Sequence, residues 1–147
     1  MKRRLSTAAL ALGCSVLAVS LPAAPSFTPT PLAQANYMLN CMGCHLADGS
    51  GAMGKVPSLR ESLPMLSRSS TGRRYLVQVP GSSQSALSNR ELAEVRNWMV
   101  RNLSSRPVAA DFAPFTASEV GDYRRFTLVD VRDTRTRLLG SAERSGR

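Results

Sequence analysis

The chain is short and basic, with 147 residues and with nineteen lysines and arginines against ten acidic residues, a formal charge of +9 at pH 7. A chain of this length forms one small domain and leaves no room for a second domain beside a sizeable apolar core. Most of the positive charge is arginine, and no lysine cluster or interleaved aromatic platform marks a nucleic-acid groove. The composition excludes a multidomain architecture and predicts no nucleic-acid partner.

Residues 1–35 have the features of a secretory signal peptide. Residues 2–4 are basic, residues 5–21 form an apolar run, and residues 33–35 read Ala-Gln-Ala, the small-x-small pattern that a signal peptidase accepts. We therefore expect an exported protein that begins at Asn36. Three of the nineteen basic residues lie in this leader, so the mature chain keeps sixteen against ten acidic residues, a formal charge of +6.

Two alternatives for the leader stay open. Cleavage after Ala24 is the second choice of site. An uncleaved membrane anchor is the other, but the apolar run is shorter than the about 20 residues that a bilayer span needs, and a proline-rich stretch follows it. We interpret Cys14 as a signal-peptide residue rather than as a lipoprotein site. The expected mature form has no stable membrane span.

The most informative motif is Cys41-Met42-Gly43-Cys44-His45, in which the only histidine of the chain directly follows the second of two closely spaced thiols. On a helical turn, positions i, i+3 and i+4 share one face, so both sulfurs and the imidazole can point at one flat object. C-x-x-C-H is the pattern of c-type haem attachment, in which each cysteine forms a thioether with a haem vinyl group and the histidine binds the iron. The motif predicts one covalent haem c held by Cys41, Cys44 and His45, with His45 as an iron ligand.

Three other interpretations of this motif were weighed against haem. A thioredoxin-like redox pair needs a preceding strand, for which a chain that begins at Asn36 has no room. A structural zinc site takes four N or S ligands, and the mature chain offers three. A disulfide between Cys41 and Cys44 remains possible in an oxidising compartment, but it leaves His45 without a role.

The elements around the motif resemble those of a mono-haem c-type cytochrome of class I. Residues 36–40 predict a short helix that leads into the motif, and residues 46–56, with three glycines, predict a loop. A capping box at residues 88–91 opens a helix whose apolar residues recur at helical spacing. The resemblance implies an all-α, cytochrome c-like fold around one haem over residues 36–103, with its first and last helices crossing.

Two contacts are expected within this fold. Tyr37 and Trp98 are large rings on short helices with little else to bury, so we expect them to pack at the crossing of the two helices. A histidine that binds a metal usually donates its other ring N–H to a fixed acceptor. The resemblance places the carbonyl of Pro57 in that role for His45, although Pro57 also fits a plain turn.

The second iron ligand is not marked by a motif. Class I cytochromes carry a Met-Pro pair before the last helix, and the matching stretch here reads Val79-Pro80-Gly81. Met65, in a loop-like segment between His45 and the last helix, is the expected ligand. Met53 is the second choice among the methionines, and an iron with no strong protein ligand is the main alternative to Met65. Histidine with methionine suits outer-sphere electron transfer, whereas an open position permits binding of small ligands.

Residues 104–147 form an extension that a minimal class I cytochrome lacks. A second capping box, at residues 116–119, predicts a short helix that continues through Tyr123 and Phe126. Alternating arginines and aspartates beyond it indicate a solvated helix face. In the alternative, Phe112, Phe115, Tyr123 and Phe126 pack the extension onto the haem domain, and the arginines dock on a partner dehydrogenase. We expect residues 141–147 to be disordered.

Export together with a single haem predicts a periplasmic electron-transfer protein rather than an enzyme. Its partners would be a periplasmic dehydrogenase, an oxidase or another cytochrome, and its basic surface would steer it to an acidic docking surface. The alternative is a haem enzyme or a small-ligand sensor with an open sixth iron position. Peroxidase chemistry is disfavoured because residues 51–81 contain no histidine and one carboxylate, Glu61.

Overall fold

The computed structural model describes residues 31–145, and this part of the chain is all-α, as predicted. It contains seven helices and no strand. The signal-peptide prediction lies outside the described residues except for its last five positions. The helices are α1 Pro31–Asn40, α2 Ser62–Leu66, α3 Ser70–Gln78, α4 Pro80–Ser83, α5 Asn89–Leu103, α6 Ala117–Tyr123 and α7 Val131–Ser145.

The crossing of α1 and α5 organises the core. The predicted capping box is confirmed: the Ser88 side chain accepts from the backbone N–H of Glu91, and the Glu91 side chain accepts from the backbone N–H of Ser88. The predicted ring contact is also confirmed, because the Tyr37 and Trp98 centroids lie 5.3 Å apart at an interplanar angle of 39°. The Tyr37 side chain is fully buried. Burial of these two rings fixes how the first helix sits on α5.

Tyr37 also links α1 to the loop that follows the cysteine motif. Its hydroxyl donates to the carbonyl of Leu46 at 2.6 Å. The pKa of Tyr37 is raised to about 12, mainly by burial and to a smaller extent by the nearby Cys41 and Asp48. The folded protein therefore holds this proton more tightly than the unfolded chain does.

A loss of stability at alkaline pH follows from the raised pKa of Tyr37. Its stabilising contribution is present below pH 10, the ordinary value for tyrosine, and is lost as the pH rises toward about 12. Tyr37→Phe is expected to remove this part of the pH dependence. Denaturant unfolding of the unmodified protein and of Tyr37→Phe at pH 8 and at pH 11 measures this difference. If the two proteins lose the same free energy of unfolding between pH 8 and pH 11, the prediction is contradicted.

Between α1 and α2, residues 46–56 form a loop as predicted, the irregular segment continues through Glu61, and the loop packs against the end of α5. Gly49 has a positive φ of 79°, and a Cβ there would lie 3.0 Å from the Cβ of Leu103. Its carbonyl accepts from the backbone N–H of Leu59 at 2.8 Å. Met65, by contrast, lies in α2 and not in the loop-like segment expected from the sequence, because the chain turns helical immediately after Glu61.

The extension belongs to the same core. Phe115 and Val120 are buried in the hydrophobic cluster that contains Trp98, and the Asn97 side chain exchanges two hydrogen bonds with the backbone of Phe115, at 3.0 and 2.6 Å. The helix α6 ends at Tyr123, earlier than predicted. Phe126 is 71% exposed and takes no part in strapping the extension.

An ion pair attaches α6 to α3. Thr116 caps α6 by accepting from the backbone N–H of Glu119, but the Glu119 carboxylate does not complete a capping box. It pairs instead with the Arg73 guanidinium through two hydrogen bonds of 2.6 Å. Arg73 also lies over the Phe115 ring, 3.8 Å from its centroid. This two-bond pair is shielded from water on most of its surface.

Glu119→Gln is expected to lower the free energy of unfolding by about 1.5–3 kcal/mol, the value of hydrogen bonds to charged groups. Asp122→Asn is the matched control on the same helix, because the Asp122 pair with Arg125 is exposed and 3.8 Å long. That change is expected to cost between about 0 and 1 kcal/mol. Denaturant unfolding measures the free energy of unfolding of both variants. Equal losses in Glu119→Gln and Asp122→Asn would contradict the larger contribution assigned to the pair of Glu119 with Arg73.

The last helix, α7, carries the alternating arginines and aspartates that predict a solvated helix face, but its bounds and its packing were not predicted from the sequence. It packs on α2 and α3 and continues through residues 141–145, which were expected to be disordered. Its outer face carries the exposed Arg132, Asp133 and Arg137, in agreement with the predicted solvated face. Within residues 31–145, none of the helices has the length and apolar character to cross a membrane.

Candidate functional site

The predicted attachment residues line one cavity of about 240 Å³ with mostly apolar walls. Cys41, Cys44 and His45 lie on its wall, and further parts of the wall come from the following loop and from the helices α2 to α5. The extension closes part of it through α7. Other lining residues are Lys55, Pro57, Leu59, Leu66, Tyr75, Val79, Ser82, Arg96, Met99, Val131 and Arg135.

The three motif side chains share a face because the chain continues helically after α1. The backbone N–H of Cys41 donates to Tyr37, and those of Cys44 and His45 donate to the carbonyl of Cys41 at 3.2 and 3.0 Å. The two cysteines are free thiols, with Cys44 exposed and Cys41 partly buried. In residues 31–145, no three His, Cys, Asp or Glu side chains cluster closely enough to hold a metal ion.

The His45 imidazole is held as a neutral base. Burial lowers its pKa, the charge of Arg96 lowers it further, and the backbone of Pro57 acts in the opposite direction. Because proline has no N–H, Pro57 acts through its carbonyl, as the sequence suggested. The Nδ1 atom is buried, but it makes no hydrogen bond of acceptable geometry.

The least expected residue at the site is Arg96. It is 5% exposed, lies on the cavity wall, and takes part in no ion pair among residues 31–145. One of its Nη atoms lies 3.5 Å from the sulfur of Met99, and its Nε has no partner. Burial raises the pKa of the Cys41 thiol, and the charge of Arg96 opposes that rise. A buried, unpaired cation is costly unless something offsets its charge.

Sequence analysis could have found Arg96 from its position. It lies on the same face of α5 as Leu92, Met99 and Leu103, at the spacing that marks the buried stripe of this helix. A charged residue at a position of this apolar stripe is expected to be buried, and a buried charge often belongs to a functional site. Arg96 is absent from the site residues predicted from the sequence, because the basic residues of the chain were interpreted as surface charge.

The structure does not bring Met65 to the other predicted site residues. Met65 is partly buried in α2 and does not line the cavity, and Met53 is fully exposed on the loop. Among the described methionines, Met99 alone lines the cavity, where it is 1% exposed. Val79, which precedes Pro80 where a methionine was sought as the second iron ligand, also lines it. Nearby Ser82 has a buried hydroxyl without a partner.

A comparison with protein-family models, with curated protein sequences and with solved structures finds no match for this chain. The all-α class therefore comes from the structure itself, and the chemistry of the site has to be argued from its own residues.

Proposed function

We propose that this protein carries one haem c, attached through thioethers to Cys41 and Cys44 and ligated by His45, and that it transfers single electrons. The observation that carries the proposal is the position of these three side chains on the wall of one mostly apolar cavity. The mostly apolar lining suits the faces of a planar macrocycle, and the haem would supply a one-electron Fe(III)/Fe(II) couple.

Three features of the protein fit this cofactor. Cys41, Cys44 and His45 line the same cavity, as expected if all three contact one large flat group. The backbone of Pro57 lies close enough to His45 to act on its pKa, so its carbonyl is an available acceptor for the ring N–H that does not bind iron. Arg96 places a buried positive charge beside the site, and such a charge favours the reduced, less positive iron.

A reversible redox titration of the purified holoprotein tests electron transfer directly. We expect a single one-electron step, fast reduction by a small inorganic donor and no turnover of peroxide. Because a basic surface would steer the protein to an acidic partner, reduction by an anionic donor should slow as the salt concentration rises. Rapid peroxide turnover would contradict the electron-transfer proposal.

The structure favours one alternative function specifically, a ligand-binding haem with an open sixth position. Val79 replaces the expected methionine, Met65 lies away from the cavity, and the unpaired Ser82 hydroxyl is available to a ligand bound inside it. Tight binding of carbon monoxide by the reduced protein, weakened in Ser82→Ala, would support this alternative over electron transfer.

The spectra of Met99→Leu and Met65→Leu distinguish the two functions further. If the protein is an electron carrier with a thioether ligand, the placement of Met99 on the cavity wall predicts that Met99→Leu loses the iron–sulfur charge-transfer band and that Met65→Leu keeps it. Loss of the band in Met65→Leu alone would restore the sequence-based choice. A high-spin spectrum in the unmodified protein would support the open site.

Export to the periplasm remains part of the proposal, with an earlier cleavage site than the one first expected. A cut after Ala35 would fall inside α1 and would remove Ala33, which is 1% exposed in the core. We therefore favour cleavage upstream of Pro31, for which Ala24 is the available site. The intact mass of the mature protein tests this, and an N-terminus at Asn36 would contradict it.

A further inference from the structure

We propose that Arg96 binds a carboxylate inside the cavity, which offsets a positive charge that the protein itself leaves unpaired. Two sources can supply this carboxylate: a propionate of the haem, and a small carboxylate from solution, for which acetate is the probe. The propionate source rests on the proposed function, because it takes the haem to occupy this cavity. The solution source does not depend on the haem.

The burial of Arg96 is unusual for an arginine. It is 5% exposed and lies on the same face of α5 as Leu92 and Met99, each of which is 1% exposed. Its side chain lines the cavity. An arginine is almost never buried to this extent unless its charge is paired, because moving an unpaired charge out of water is strongly unfavourable.

The guanidinium of Arg96 uses little of its hydrogen-bonding capacity on protein groups. One Nη atom lies 3.5 Å from the sulfur of Met99, and a thioether is a weak acceptor. The buried Nε has no hydrogen-bond partner, and no ion pair within residues 31–145 includes Arg96. Since a guanidinium presents five N–H donors in a planar fork, it can bind a carboxylate through two of them at once.

The cavity wall offers Arg96 no negative charge. Among the described residues, no aspartate or glutamate lines the cavity, and the other residues of fixed charge on its wall are Lys55 and Arg135. Cys41 and Cys44 also line it, but a thioether carries no charge and cannot act as a thiolate partner. Positive charge alone therefore lies within mostly apolar surroundings, which strengthen its attraction for an anion.

A second polar group without a partner lies on the same wall. Ser82, in α4, is 3% exposed, and its buried hydroxyl makes no hydrogen bond with residues 31–145. A hydroxyl can donate to a carboxylate oxygen. An apolar lining with a few unsatisfied polar groups is typical of a site for an apolar molecule whose polar groups fix its orientation. Here the unsatisfied groups are both donors, which favours a ligand that carries an anionic acceptor.

The experiment compares Arg96→Gln with Arg90→Gln in the mature holoprotein. Both changes remove one positive charge from α5, but Arg90 is exposed and does not line the cavity. The reduction potential is measured against pH, and again against acetate concentration at an ionic strength held constant with a bulky sulfonate salt. A carboxylate beside Arg96 offsets the charge that favours reduced iron, so binding of acetate there is expected to lower the potential.

The two sources of carboxylate give different results. If a propionate is bound, Arg96→Gln should move the acid inflection of the potential to higher pH by about 1–3 units, because an adjacent arginine favours the ionised carboxyl. If acetate is bound, the potential of the unmodified protein should fall to a plateau as acetate is added, and Arg96→Gln should lose this response. Arg90→Gln should match the unmodified protein in both measurements.

Arg96→Lys is the second variant, and it decides the matter if Arg96→Gln does not fold. Lysine keeps the charge but loses the planar fork, so its inflection, or its affinity for acetate, should lie between those of the unmodified protein and of Arg96→Gln. A structural role without an anion predicts no change in either. Equal profiles for the Arg96 and Arg90 variants, with no saturable effect of acetate on the unmodified protein, would overturn the inference.

Failure of the proposed function gives a different result. A mature chain that acquires no haem overturns the proposed function and excludes the propionate source. Acetate should then stabilise that chain against denaturant by mass action, and Arg96→Gln should abolish the effect. Absence of this stabilisation would overturn the solution source as well.

Discussion

Replacement of both Cys41 and Cys44 by serine is expected to abolish covalent haem attachment completely. Each thioether requires one of these sulfurs, and serine oxygen does not form that bond. Each single replacement should leave one thioether and one free vinyl group, which extends the conjugation of the macrocycle and moves the reduced absorption bands to longer wavelength. Denaturing mass spectrometry and optical spectra of protein from a host with cytochrome maturation measure both effects.

Cys14→Ser is the matched control for these replacements. Cys14 is the third cysteine of the chain and lies in the predicted leader, outside the described residues. The mature protein from this variant is expected to carry the same covalent haem as the unmodified protein. Haem that survives denaturation in the double variant would contradict the assignment of the two attachment residues.

Trp98→Ala is expected to cause the largest loss of stability among single core substitutions. It removes the ring that contacts Tyr37 and leaves a cavity at the crossing of α1 and α5. Truncation of a buried tryptophan costs about 3–5 kcal/mol. The total stability of a small domain is about 5–15 kcal/mol, so the variant should lose much of its resistance to denaturant.

Two controls make this result specific. Trp98→Phe keeps an aromatic ring at the crossing and should cost less than the alanine change. Phe126→Ala removes an aromatic ring that is 71% exposed, and its cost is expected to stay within about 0.5 kcal/mol. Denaturant unfolding of the holoproteins of Trp98→Ala, Trp98→Phe and Phe126→Ala measures which variant loses the most stability. A loss in Phe126→Ala equal to that in Trp98→Ala would contradict the proposed core.

The parts of the fold that could be predicted from the sequence are those with local signals. The helix α5 begins at its capping box because Ser88 and Glu91 satisfy each other's backbone N–H groups within one turn. The contact between Tyr37 and Trp98 could be predicted because few other large side chains were available to cover the two helices. The class, all-α, followed from such signals together with the resemblance.

The parts that could not be predicted depend on contacts between distant segments. Arg135 reaches the cavity because α7 packs on helices more than fifty residues earlier in the chain, and its local sequence resembles an exposed helix. Glu119 was expected to complete a cap, but Arg73 offers its carboxylate a stronger, charge-assisted partner. The prediction of Met65 as the second iron ligand rests on its distance along the chain from His45. That distance does not determine where the side chain points, because residues 62–66 are helical.

The most direct test of the account is a mass map of the purified mature protein, made in a host competent for cytochrome maturation and digested with a protease. The account predicts one haem-bearing peptide, which contains residues 41–45 and retains its colour after denaturation. A colourless protein in which that peptide has the mass of the bare polypeptide would contradict the attachment of haem and everything derived from it.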